Sequence, residues 1–256
     1  MITIAIANQK GVVGKTTTAI NVATAMAAVG WRTLLVDLDP QGNASTGLGI
    51  GSAQRDYTSY DLLLGEADLA QCSVPTTIPN LTLVPGTVDL SGAEIELVSG
   101  EQRTQRLRYA LADAPHDICF IDCPPSLGLL TLNALGAANS LLVPLQCEFF
   151  ALEGLSQLLQ TVEQVKGRFN PQLVIVGIVL TMYDRRNRLT EQVAEDVRET
   201  LGELVFEEVI PRNVRLSEAP SHGLPALLYD HQCAGSRAYM NLARELIGRI
   251  GAKETA

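Results

Sequence analysis

Short apolar runs alternate with longer segments of helical period from end to end, and this alternation restricts the fold more than any other feature. Runs such as Ile118-Cys-Phe-Ile121, Leu141-Leu-Val143 and Val174-Ile-Val176 have no polar side, so both faces of each strand must be covered. Strands of that kind separated by helices imply βαβ units around a parallel sheet. Strands are expected near residues 2–7, 33–37, 81–84, 118–122, 140–144, 173–180 and 207–210. Helices are expected near 15–29, 90–112, 127–138, 153–168, 189–201 and 234–250. The fold class is therefore α/β, with a single doubly wound, mainly parallel sheet and helices on both faces.

With 256 residues, 46% of them hydrophobic, and no Pro/Ser-rich linker, repeat or low-complexity tract, residues 1–256 read as one domain. The least regular stretch, 42–79, is rich in Gly, Ser, Thr and Gln and is expected to be an excursion on the ligand-binding edge. Nineteen Lys and Arg against 28 Asp and Glu leave a formal charge of −9. That balance excludes coating nucleic acid or an anionic membrane over the whole surface, so any such contact must use a local patch. Five scattered cysteines with no CxxC pair suggest neither a disulfide framework nor a zinc site, and fit a reduced, cytoplasmic compartment. Met1 leads straight into a strand pattern, without the basic and apolar regions of a signal peptide, and no uncharged apolar run approaches ~18 residues.

After the first strand comes Asn8-Gln-Lys-Gly-Val-Val-Gly-Lys-Thr-Thr-Thr18, followed by apolar residues at helical spacing. Its Gly14-Lys15-Thr16 core is that of a phosphate-binding loop. Backbone N–H groups in a tight turn form a concave anion site, and the helix N-terminus adds its positive dipole end. Lys15 would reach the β- and γ-phosphates, and the Thr16 hydroxyl would ligate Mg²⁺. Asp122 ends an apolar strand just before Cys123-Pro124-Pro125, placing a carboxylate at the sheet's carboxyl edge, where it can hold Mg²⁺ through water. Asp37 and Asp39 end another strand, and either can orient or deprotonate an attacking water; spacing alone does not choose between them.

Together these segments resemble the ParA/MinD class of deviant Walker P-loop ATPases, and within it the ParA/Soj chromosome- and plasmid-partitioning branch. The family loop reads Lys-Gly-Gly-x-Gly-Lys-Thr-Thr/Ser, and Lys10, Gly11, Val13, Gly14, Lys15, Thr16 and Thr17 match it. Further matches are Asp37-Leu-Asp-Pro-Gln-Gly-Asn43, Ile121-Asp-Cys-Pro-Pro125, Val143-Pro-Leu-Gln146 and the long Ile210-Pro-Arg-Asn-Val-Arg-Leu-Ser-Glu-Ala-Pro-Ser-His-Gly223. The resemblance implies an Mg²⁺-dependent ATPase that forms a homodimer on ATP binding. Lys10 corresponds to the signature lysine that crosses to the partner's phosphates, and Asp39, rather than Asp37, to the catalytic aspartate. Lys10, Lys15 and Asp39 are then the catalytic set, and Thr16, Asp39 and Asp122 the metal set. Residues 10–17, Val12 and Val13 included, bind nucleotide together with Pro211 and Asn213, Asn213 on the base.

The same resemblance implies non-specific double-stranded DNA binding, nucleoid association and a ParB-type partner that stimulates hydrolysis. Arg185, Arg186 and Arg188, with Arg212 and Arg215, concentrate positive charge in two loops, and Arg186 and Arg215 fall at positions resembling the family's DNA-facing arginines. Such contacts would go to phosphates and be salt-dependent; the alternative is a solvated basic loop paired with Asp184 and Glu218. A MinD-like membrane-positioning ATPase is the alternative, but the tail after Ile250 lacks the basic amphipathic character that lipid binding needs. An iron–sulfur reductase would need two dimer-facing cysteines, which the spacing does not supply. One departure stands out: Val12 replaces the family's second glycine. A β-branched residue is poorly tolerated at φ > 0. Added bulk there is expected to impair dimerisation or hydrolysis while sparing nucleotide binding; the alternative is a loop that closes with Val12 in place.

Overall fold

The computed structural model describes residues 1–97, 102–148 and 150–254. Eight strands form one sheet: β1 (Ile2–Ile6), β2 (Thr33–Asp37), β3 (Val74–Pro75), β4 (Leu81–Val84), β5 (Ile118–Asp122), β6 (Ser140–Gln146), β7 (Val174–Tyr183) and β8 (Val205–Pro211). Their order is β3-β4-β2-β5-β1-β6-β7-β8, and every neighbouring pair is parallel except β3 with β4. The chain starts in the middle of the sheet and winds outward both ways, so the order reverses beside β1. That is where such a sheet opens a crevice at its carboxyl edge.

Alternate residues of the same strand enter opposite cores. Leu34, Val36, Cys119 and Ile121 pack on one side, against the helices Leu129–Ala137, Ala151–Arg168 and Arg188–Leu201. Ile4, Ile6, Leu35 and Phe120 pack on the other, against the helices Lys15–Ala28 and Ala234–Glu254. The apolar stripe of the last helix, Leu242, Leu246 and Ile250, is spent on this core. No helix among the described residues is long and apolar enough to cross a membrane.

Two expectations need correction. The helix expected over 90–112 is two short helices, Leu90–Glu96 and Arg106–Ala110; its 98–101 portion lies outside the described residues. Gln102 has φ 56°, which no continuous right-handed helix accommodates. The 42–79 stretch contains the helices Asn43–Gly47, Ser59–Leu64 and Leu69–Cys72, and the edge strand β3. Two of those helices start on reciprocal capping boxes, Thr58 with Asp61 and Asp68 with Gln71, a signal legible in the sequence.

Candidate active site

Gly14 caps the helix Lys15–Ala28 in the left-handed region (φ 81°, ψ 26°), a conformation that costs glycine nothing. No side chain caps this helix, so its first-turn N–H groups face the crevice without a protein acceptor from a capping side chain. Two hydrogen bonds fix the loop to neighbouring strand ends. Asn8 Nδ2 donates to the Pro144 carbonyl (2.7 Å) while its Oδ1 accepts from Lys10 N (3.0 Å). Thr181 Oγ1, at the end of β7, donates to the Val13 carbonyl (2.8 Å). Lys15 Nζ folds over the loop and donates to the Lys10 carbonyl at 2.7 Å and more weakly to Gly11 at 3.4 Å. Burial pulls its ammonium below the ordinary value, against the opposing pull of Asp122, Cys123 and Asp39.

Strand register brings the carboxylates together, because β5 lies between β1 and β2 with Asp122 opposite both Ile6 and Asp37. Asp37 is fully buried and fully engaged. Its Oδ2 accepts from Ser45 Oγ (2.6 Å) and Ser45 N (2.8 Å), and its Oδ1 from Asp39 N (3.2 Å). Burial pushes it up to about 6 despite these donors. Asp122 is equally buried, yet neither oxygen has a hydrogen-bond partner. The Thr16 hydroxyl is near enough to favour its ionised form but stands outside hydrogen-bond geometry, and burial followed by the Asp37 charge holds it well above the ordinary carboxylate range. Asp39 is 7% exposed and accepts from Gln41 N at 3.0 Å.

Lys10 leans on Glu148 (3.6 Å), both groups partly exposed. Val12 is 78% exposed and does not have a positive φ, so the strain expected of a β-branched residue at this position is absent. A cavity of about 530 Å³ opens beside the loop, lined by Thr17, Met182, Ile210, Pro211, Asn213 and Tyr239 among others. The Asn213 side-chain oxygen accepts from Arg215 N (2.9 Å) and caps the helix Val214–Glu218, which leaves its amide N–H₂ for another acceptor. The arginine loops are less free than their composition suggests. Arg186 makes a two-point contact with Asp184 (3.0 Å for each bond), and Arg215 pairs with Glu218 (2.8 Å) and Asp230 (3.5 Å). Arg185, Arg188 and Arg212 are exposed and have no ion pair to a described residue.

Thr181, Ser45, Gly86, Glu148 and Tyr239 escaped the sequence reading. Thr181 lies one residue past the expected end of its strand; the rest meet the site only through packing.

Comparison with known proteins matches residues 1–175 to the family described as an AAA domain. The chromosome partitioning protein ParA of Caulobacter vibrioides is 61% identical over 250 residues, covering 96% of this chain and 94% of that one. The Bacillus subtilis sporulation initiation inhibitor protein Soj is 52% identical, covering 95% and 97%. Among solved structures, cobyrinic acid a,c-diamide synthase from Mycobacterium smegmatis, with bound ADP and magnesium, superimposes with a TM-score of 0.84 at 38% identity, covering 96% of this chain and 94% of that one. A glycine phosphate loop, strand-end carboxylates and full-length relatives at this level agree: the chain belongs to the ParA/Soj family of chromosome-partitioning ATPases.

Proposed function

We propose that residues 1–256 form one ATPase domain that binds ATP across the carboxyl edge of the sheet and, with ATP bound, pairs with a second copy to grip double-stranded DNA. Asp122 carries this reading. A fully buried carboxylate with two unpartnered oxygens, beside Thr16 and under an uncapped helix N-terminus, is a costly arrangement that a cation–phosphate pair completes. Carboxylate and hydroxyl are the hard oxygen donors that suit Mg²⁺, so Thr16 and Asp122, with Asp39 close by, would hold it. When bound, Mg²⁺ neutralises charge on the transferring phosphoryl group.

The loop N–H groups and Lys15 then hold the phosphates, Pro211 and Asn213 flank the base in the cavity, and Asp39 accepts a proton from, or orients, the attacking water. An exposed apolar side chain suits pairing on this face: Phe150 (58% exposed) lines a shallow pocket together with Lys10. Pro125 adjoins Gly11, and Glu94 adjoins Gly128, which extends the face toward exposed Ile95. Lys10 must leave Glu148 to cross to the partner's phosphates. Two copies double a modest arginine patch, which reconciles DNA binding with a charge of −9. A ParB-type partner that stimulates hydrolysis would return single subunits and release the nucleoid.

The test is DNA binding against salt concentration with ATPγS and with ADP. Binding that needs the ATP analogue and falls steeply with salt is expected. No dependence on nucleotide, or a flat salt response, would overturn the partition mechanism.

A further inference from the structure

We infer that Arg55 is a positioning residue for hydrolysis: its guanidinium brackets the floor beneath Asp37 and Asp39 and so sets where the Asp39 carboxylate stands. This rests on the reading of Asp39 as the group that handles the attacking water.

The floor is Gly86, two residues beyond β4. A Cβ placed on it would lie 2.9 Å from the Asp37 carbonyl oxygen, 3.0 Å from the Asp37 carboxyl carbon and 3.0 Å from the Asp39 carbonyl oxygen, so its backbone is pressed directly against the acidic turn. Its N–H donates to Ser45 Oγ (3.0 Å), which in turn donates to Asp37 Oδ2 (2.6 Å). Its carbonyl accepts from Arg55 Nη1 at 2.8 Å. The other Arg55 donors reach the opposite wall: Nε and Nη2 donate to the Ile50 carbonyl (3.1 and 2.8 Å), and Nη2 to Thr46 Oγ1 (3.0 Å). Thr46 follows Ser45, so one planar cation ties the helix that supplies the Asp37 donor to the glycine beneath the acids. The Arg55 hydrogen bonds go to Ile50, Gly86 and Thr46 rather than to the phosphate loop, and Arg55 does not line the nucleoside cavity.

Only a rigid fork spans these acceptors. A lysine keeps the charge that favours Asp37 but presents a point ammonium that cannot hold Gly86 and Ile50 together. Arg55→Lys therefore separates electrostatics from geometry. Displacing a reacting group by about 1 Å costs up to about 100-fold, so kcat for basal ATP hydrolysis should fall between about tenfold and about 100-fold. KM for ATP and the affinity for an ATP analogue should stay within about twofold, because the binding elements are untouched. In Arg55→Ala, added methylguanidinium should raise kcat, while thermal melting monitors folding of both variants. Unchanged kcat in Arg55→Lys, or loss of kcat together with analogue affinity and melting temperature, would overturn the positioning role. Asp39→Ala is the control. If it hydrolyses ATP at the wild-type rate, the assignment of Asp39 falls and this role with it; a slow Asp39→Ala beside a fast Arg55→Lys defeats the Arg55 role alone.

Discussion

Replacing Asp122 by asparagine should make the nucleotide-free protein more stable, although Asp122 sits at the centre of the site. Its two oxygens are buried without a partner, and the carboxylate faces Asp37 across one strand pairing. Leaving a buried ionised group unsatisfied costs about 1–3 kcal/mol or more. Removing the charge should return about 2 kcal/mol, or roughly 4–8 °C in melting temperature for a chain of this size. The pH dependence distinguishes this cause from better packing. Asp122 has a raised folded-state value, so the stability linked to it is fully present below the unfolded value of 3.8 and is lost as pH rises toward and through the folded one. Asp37 behaves likewise between 3.8 and about 6, and because the two carboxylates repel each other, Asp122→Asn also eases the ionisation of Asp37 and adds to the gap at high pH. The gap between Asp122→Asn and wild type should therefore be small at pH 4.5 and widen by pH 8. Differential scanning fluorimetry at both pH values, with and without Mg²⁺·ATPγS, reads all of it: the added nucleotide should stabilise wild type more than the variant. A variant less stable than wild type at pH 8 without nucleotide, or a gap independent of pH, would refute the reasoning.

Three other perturbations probe different parts of the site. Val12→Gly removes an exposed side chain that is not under backbone strain, so subunit stability should change by less than about 1 kcal/mol. Its dimer constant with an ATP analogue should nevertheless rise by about tenfold, the scale of relieving an overpacked contact, and identical light-scattering behaviour would show that the loop closes with Val12 in place. Thr181→Val keeps the shape but deletes the bond to the Val13 carbonyl, worth about 1 kcal/mol, so ATP-analogue affinity measured by calorimetry should drop roughly fivefold. Asp184→Asn frees Arg186, so DNA affinity should rise at low salt and the slope of log affinity against log salt should steepen by about 1; an unchanged slope would mean that Arg186 does not meet phosphate.

The parts of the site legible in the sequence are those whose chemistry is local. Residues 8–18 need only their own neighbours to form a loop, a left-handed glycine and a helix start. Asp37, Asp39 and Asp122 betray themselves by ending apolar runs. The missed elements depended on distant partners or brief signals. The break before Arg106 includes a left-handed Gln102, which no periodicity announces, and the short helices of 43–72 are too brief for periodicity, although two of their capping boxes were there to be read.

The sequence by itself determined the fold class, the phosphate loop and the family. Apolar period and contiguous motifs survive in one dimension, and the resemblance separated Asp39 from Asp37, which spacing had left open. Tertiary structure alone decided what each group does at rest. It set β5 between β1 and β2, leaving Asp122 bare and Asp37 fully bonded, and it paired Arg186 and Arg215 with acids that composition counted separately. It also placed Arg55 under the acidic turn, 31 residues in sequence from the Gly86 carbonyl it holds. The physical reason is that hydrogen-bond satisfaction and ion pairing depend on distances of about 3 Å between residues far apart in the chain, and only the packed sheet sets those distances.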